Sequence, residues 1–502
     1  MTTQTIPPRE KAERIVLPRV LIVGFAGRAR PPHDSSFRDA VREFLSGRAK
    51  GGDQLCCVVN LATHAGRLFA ETSISLGVPV RVLLPCSQEH LLQICEDTIR
   101  PRLRGVLEDA ISIEIIGGTA TPEEKLYECA LETVLQSQVL LAIADRETKA
   151  SPVETEEAVS FAVQIRRPVF LHNFDQCSFE PFSAEAAQLF IADPELNFLN
   201  ALADCDTAPP AVPGRATAEA WLAKLDANAL RVAPQVRRLA ALPIICTALA
   251  AFVSGAGQRM LASGVWVGAG AALGLVAALL PAAVRLGKRQ ALWVRIRTAA
   301  EISRSILALW NTPTLYQVVG PEILPELAGM IRSLNLLKSQ CAKRLDLSLD
   351  DFKQQFLEER ILDQKQYFAR QARKSAIKAR QYKRTATIAS AMAIAASIWT
   401  FASRSLFHTS FTVSGGSWLP LVASALFQVA TVAGALVVVH DCDRRQRRYQ
   451  QLDQSLAEWE MEFRAYKTWP PILNLVGKVE RALLVELLEW RSLLQNTKMP
   501  RN

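Results

Sequence analysis

Hydrophobic positions along this chain fall into two regimes. Up to residue 174, short apolar runs alternate with stretches of helical spacing. The runs at 19–24, 55–60, 78–84, 111–116, 139–144 and 168–172 are short and nearly continuous in apolar character, as strands buried on both faces are. Helical spacing covers 37–45, 65–76, 89–107, 122–138 and 155–164 between them. Strand and helix alternate throughout, which predicts an α/β doubly wound parallel sheet. Beyond residue 238 the pattern changes. Residues 239–257, 260–284, 385–402 and 418–440 contain no Lys, Arg, Asp or Glu. Each is about long enough to cross a ~30 Å hydrocarbon core at about 1.5 Å per residue. The second half is therefore predicted as an all-α four-span membrane bundle with long cytosolic helices.

Charge orients that bundle. Arg231, Arg237 and Arg238 precede the first stretch, and only Gln258 and Arg259 separate it from the second. Arg285, Lys288 and Arg289 follow the second; Lys383 and Arg384 precede the third; Arg444, Arg445, Arg447 and Arg448 follow the fourth. Basic flanks mark the cytosolic side, so two hairpins are expected, with both termini and the middle segment inside. Gly264, Gly268, Gly270 and Gly274 give two small-xxx-small patterns suited to close helix packing in lipid. The spans hold no mid-span charge, which argues against an ion-coupled transporter.

The organisation expected is a flexible tail over 1–18, a sheet domain over 19–202 and a linker and lead-in over 203–234. The first hairpin with its cytosolic helices follows over 235–345 and the second over 346–502. The linker is clearest at Asp206 to Gly214, which holds Pro209, Pro210 and Pro213. Across 502 residues the hydrophobic content is 49% and the net charge +9, with the basic excess beside the apolar stretches. Nucleic-acid binding is accordingly not expected. The ten cysteines show no metal spacing and no disulfide framework. They suit buried free thiols in a reducing cytosol. Residues 1–19 lack an apolar core, so no signal peptide is expected.

In such sheets ligands sit at the carboxyl ends of the strands. The candidate lip residues are Gly24, Phe25, Gly27 and Arg28 after the first strand. Thr63, His64, Gly66 and Arg67 follow the second, and Asp145, Arg146, Glu154, Thr155 and Glu156 follow a later one. Glycines let backbone approach a phosphate, helix N-termini offer N–H groups, and Arg28 and Arg67 suit phosphate oxygens.

Gly24-Phe25-Ala26-Gly27, then Leu61 to Glu71, then Gly77 to Pro85 resemble the SLOG superfamily, Rossmann-like domains related to the LOG nucleotide hydrolases, to DprA and to the cytosolic ligand-binding regions of TRPM channels. The resemblance covers roughly residues 19–174. The enzymes' acidic residue is missing from His64-Ala65-Gly66-Arg67, and their glycine-rich phosphate loop is replaced by Ser151 to Glu157. Glu359 to Phe368, the hairpin after it and the later Val479-Glu480, Glu486 and Trp490 resemble SLATT domains, two-span membrane modules found beside SLOG domains in prokaryotic conflict systems. Arg297, Glu301 and Trp310 repeat that exit pattern after the first hairpin. Taken singly, Glu301, Glu480 and Glu486 suit a solvated or salt-bridged helix face.

The resemblance implies a homo-oligomeric inner-membrane effector of an antiphage-type system. Its sensor would bind a nucleotide-derived second messenger, with no bound cofactor, and its hairpins would open a pore or disrupt the lipid bilayer. The alternative is a membrane-anchored nucleotide hydrolase or N-glycosidase of LOG type, using Glu71, Glu154, Glu156 or Glu157 as its carboxylate.

Overall fold

The computed structural model describes residues 16–27, 31, 33–50, 53–116, 121–143, 153–187, 193–203, 214–260, 264–286, 289–312, 324–342, 348–406, 419–439 and 441–495. Contacts divide the chain into two compact units. One comprises Met1–Lys224 with Ile302–Leu347, the other Leu225–Glu301 with Ser348–Asn502.

The first unit is built on β1 (Val20–Gly27), β2 (Gln54–Asn60), β3 (Val80–Leu84), β4 (Ser112–Ile115), β5 (Val139–Ile143), β6 (Val169–Asn173) and β7 (Ser178–Pro181). They form one sheet in the order β4-β3-β2-β1-β5-β6-β7. Every neighbour pairs in parallel except β6 with β7. Helices α1 (Asp34–Lys50), α2 (His64–Ser75), α3 (Gln88–Ile94), α4 (Arg100–Asp109), α5 (Pro122–Gln136) and α6 (Val153–Gln164) link the strands, and α7 (Ala184–Ala187) and α8 (Pro194–Ala203) follow. The expected doubly wound sheet is present.

Period-two alternation along β1 explains the two layers. Leu21, Val23 and Phe25 face a core with Phe37 and Val41 of α1, Phe69 of α2 and Val106 of α4. On the other face, Ala26 packs with Val134 of α5 and Ala158 and Ala162 of α6. Val20 and Cys56, farther along that face, are covered by Leu336. Leu336 belongs to α12 (Ala328–Ala342), more than three hundred residues downstream of Val20. The linker and hairpin boundaries read from sequence therefore differ from the compact units. Residues 302–342 carry a buried apolar stripe (Ile306, Trp310, Met330, Leu334, Leu337) that belongs to the sheet unit.

Two local differences have physical causes. Residues 89–107 form two helices, because Pro101 suits the first turn of α4 and would break a continuous helix. β1 continues to Gly27 where the sequence pattern ended it at Gly24, because its last residues pair with β5 up to Ile143.

The second unit is helical. Helix α9 (Arg215–Met260) carries the unit boundary within it and runs through Pro234 and Pro243. After α10 (Gly264–Leu286) and α11 (Arg289–Ala308) come α13 (Leu349–Phe356), a π-helical turn at Leu357–Leu362, α14 (Asp363–Leu406), α15 (Leu419–Val439), α16 (Cys442–Ala465) and α17 (Trp469–Gln495). Asp441 joins α15 to α16 in the left-handed region at φ 46°. Phe352 packs on Trp469 and Phe356 on Phe463, at ring-centroid distances of 5.2 and 5.5 Å. The π-turn carries Arg360 to Glu480 of α17, where both carboxylate oxygens accept hydrogen bonds from the guanidinium at 2.7 Å. The two side chains are 4% and 0% exposed.

Two helices are long and apolar enough to cross a membrane, Leu349–Ala402 and Leu419–Ala465. The apolar stretches described in the first pair, Ala241–Gly255 and Gly268–Leu279, are shorter. Four spans thus remain the reading of the sequence, and two long apolar helices are what the described residues contain.

Candidate functional site

The sheet order has its switch point between β1 and β5. The helix after β1 packs on one face and the helix after β5 on the other. At such a point the connections diverge and leave a crevice at the carboxyl ends, here Gly27 and Ile143. Asp34 begins α1 and Val153 begins α6 beside these ends. Arg28, Asp145 and Arg146 lie outside the described residues. Glu154 falls in the first turn of α6, Thr155 is buried, and Glu156 and Glu157 are exposed.

The turn from β2 to α2 is the best-defined part of this edge. The Asn60 side chain accepts a hydrogen bond from the Ala62 N–H at 2.8 Å and fixes the turn. Thr63 is the N-cap of α2, and its hydroxyl accepts from the Gly66 N–H at 3.0 Å. Arg67 donates to the carbonyls of Leu61 and Ala62 at 3.2 and 3.3 Å, bracing the same turn. His64 Nε2 lies 3.0 Å from Asp34 Oδ1 and joins the N-termini of α1 and α2. Arg38 and Glu71 pair between the same two helices.

These contacts change the expected roles. Phe25 is a core residue: its ring stacks on Phe69 at 4.8 Å, and the residue is 2% exposed. Gly24 lies inside β1, where an added Cβ would come within 2.7 Å of the Ser137 side chain, so it admits the end of α5. Gly66 is required because a Cβ would collide with the Asn60 carbonyl, and its N–H is already held by Thr63. His64 and Arg67 do sit at the carboxyl edge, and Gly27 ends its strand there. Sequence reading missed the partners Asn60 and Asp34. Asn60 follows an apolar run directly before a turn, which is the signal that could have found it.

No thiol in the sheet suits a nucleophile. Burial pushes Cys56 up to about 11 and raises Cys57 further. Among the described residues, no group of three His, Cys, Asp or Glu side chains could hold a metal ion. The edge therefore offers hydrogen-bonding groups, an imidazole–carboxylate pair and the exposed α6 glutamates.

The second region with functional character is the α14–α15 pair. The apolar windows of the two long helices are only 11% and 12% buried, unlike the core helix of a soluble protein. Ile398, Trp399 and Phe401 are 62%, 68% and 74% exposed, while Ala389, Ala393, Ala430 and Ala433 are buried. Large residues outside and small ones in the seam are the arrangement of helices packed in lipid. The α9–α10 pair repeats it. Gly270 faces Ser254 closely and Gly274 lies over Ala250, whereas a Cβ at Gly268 would meet nothing. Comparison with protein-family models finds no match for this chain, and comparison with curated proteins finds none either.

Proposed function

We propose that this protein is a ligand-gated membrane effector. The sheet unit binds a nucleotide-derived ligand at the carboxyl edge of β1, β2 and β5, and the hairpins act on the bilayer. The observation that carries this reading is the outward apolar surface of α14 and α15 over a small-residue seam, in one chain with a switch-point sheet. The reading extends to four spans with cytosolic termini, on the basic flanks and the repeated seam of α9 and α10. The SLOG-like and SLATT-like sequence features add the expectation of a defence role in which an oligomer permeabilises the inner membrane.

The hydrolase alternative is less well supported. Glu71 is engaged by Arg38, which leaves Glu154, Glu156 and Glu157 as its carboxylates.

Liposomes carrying the full chain, loaded with a self-quenched dye and exposed to a panel of cyclic and linear nucleotides, test the reading. Leakage with one nucleotide class, lost on Arg67→Ala, is expected. Leakage independent of every nucleotide would remove the sensor from the proposal. Release of ribose phosphate that stops on Glu156→Gln would favour the hydrolase.

A further inference from the structure

Where the apolar surface of α14 and α15 ends, two open grooves of about 690 and 440 Å³ flank the helices. Both fall in the size range of ligand sites, roughly 300–1,000 Å³. The Lys383–Asp443 ion pair, at 2.8 Å, brings α14 and the start of α16 to one level. Around it, Arg380 and Arg384 line one groove, while Arg444 and Arg447 line the other together with Asp441 and the Arg448–Glu489 pair. All four arginines are exposed, and among the described residues none has an ion-pair partner. The opposite ends of the grooves are apolar, with Ile388 on α14 and Val437 and Val438 on α15.

With Asp443 and Glu489 paired to Lys383 and Arg448, the four arginines outnumber the remaining Asp441. That cationic excess beneath an apolar upper rim complements one kind of molecule, a phosphodiester headgroup with acyl chains attached. Arginine forks take phosphate oxygens bidentately, and cationic side chains at this depth attract anionic lipid. Mobile arginines serving solubility alone would need neither the apolar rim nor a common level.

We infer that these grooves bind the headgroups of anionic phospholipid, held at the boundary where the α14–α15 hairpin leaves the bilayer. The site rests on the membrane reading proposed above. Its occupant ties the hairpin to the composition of the surrounding leaflet. Anchoring at Arg444 and Arg447 also acts directly next to Asp441, the left-handed joint between α15 and α16.

The test uses the full chain extracted in detergent, with bound lipid counted by native mass spectrometry after exposure to equal phosphatidylglycerol and phosphatidylcholine. Preferential retention of phosphatidylglycerol is expected. Arg380→Gln, Arg384→Gln, Arg444→Gln and Arg447→Gln together should lower it at least tenfold, about 1.4 kcal/mol. The same four positions changed to Lys, which keep the charge and guard against a folding failure, should keep most of it. Arg370→Gln, Arg373→Gln, Lys374→Gln and Lys467→Gln remove equal charge elsewhere and should leave it unchanged.

Equal retention of the two lipids, or equal loss in the control variant, would overturn the site while leaving the membrane reading intact. Displacement of the lipid by millimolar inorganic phosphate would show a free-anion site and overturn the lipid assignment. Release of the chain from membranes by alkaline carbonate would overturn the membrane reading and the site together.

Discussion

His172 shows how much one side chain depends on its surroundings. It lies on β6 among Phe37, Phe174 and Phe179, with ring centroids 5.2 to 5.5 Å away. Neither ring nitrogen has a hydrogen-bond partner among the described residues. Burial pushes its pKa below the ordinary imidazole value. The unfolded chain therefore takes up the proton first, and stability falls as pH drops below about 6.5. His172→Phe should remove that slope. Hydrogen exchange of β6 in the full chain between pH 5.5 and 7.5, corrected for intrinsic rates, reads it, and an unchanged slope would assign the effect elsewhere. At this scale the sequence was only partly legible. Phe25 follows Val23 by two residues in a strand, so alternation already puts it on the core face. Its place beside two glycines suggested a ligand loop instead. The bond from the Gly66 N–H to Thr63 was hidden because Gly66 serves cap geometry and close approach at once.

Between elements, the Arg360–Glu480 pair fixes how the base of the long helix meets α17. Removing one partner from a buried pair leaves a buried charge uncompensated and typically costs about 3–5 kcal/mol. Glu480→Ala should therefore destabilise the helical base by about that amount. Arg360→Met with Glu480→Leu should restore most of it, because apolar replacements need no solvation. Denaturation of the detergent-solubilised chain, followed by tryptophan fluorescence, checks both. If the double variant stays as unstable as the single one, the pair does more than satisfy itself. Helical spacing over 472–494 puts Leu473, Val476, Leu483, Leu487 and Trp490 on one stripe; Val476 and Leu487 are buried, and Ile472, Leu475, Val479 and Glu480 complete the buried face. A charged residue on that face breaks the pattern, since its partner is 120 positions away. Strand β7 was unreadable for a related reason. Ser178 to Pro181 is short, polar at one end and closed by proline, and only the edge of an existing sheet recruits it.

For the whole molecule, the two hydrophobic regimes of the sequence became two compact units, but the division does not follow the chain. Residues 302–347 return to the sheet unit because α12 covers Val20 and Cys56, and no local pattern encodes a partner so distant. The proposed placement of α10 in lipid separates two physical outcomes. Leu275, midway along α10, is 61% exposed. In water, Leu275→Lys would be nearly neutral; in the middle of a bilayer it should cost ~3 kcal/mol. Reduced membrane insertion of that variant, read by carbonate extraction, is expected, and unaltered insertion would take α10 out of the lipid. The π-turn beneath α14 has its own reach. One additional residue in a helical turn advances everything after it by about 100° around the axis. Leu357–Leu362 thereby sets the azimuth of the apolar helix from below, as a key sets the angle of a shaft. If that turn tightened to ordinary helical winding, Ala389 and Ala393 would swing off the seam and Trp399 toward it.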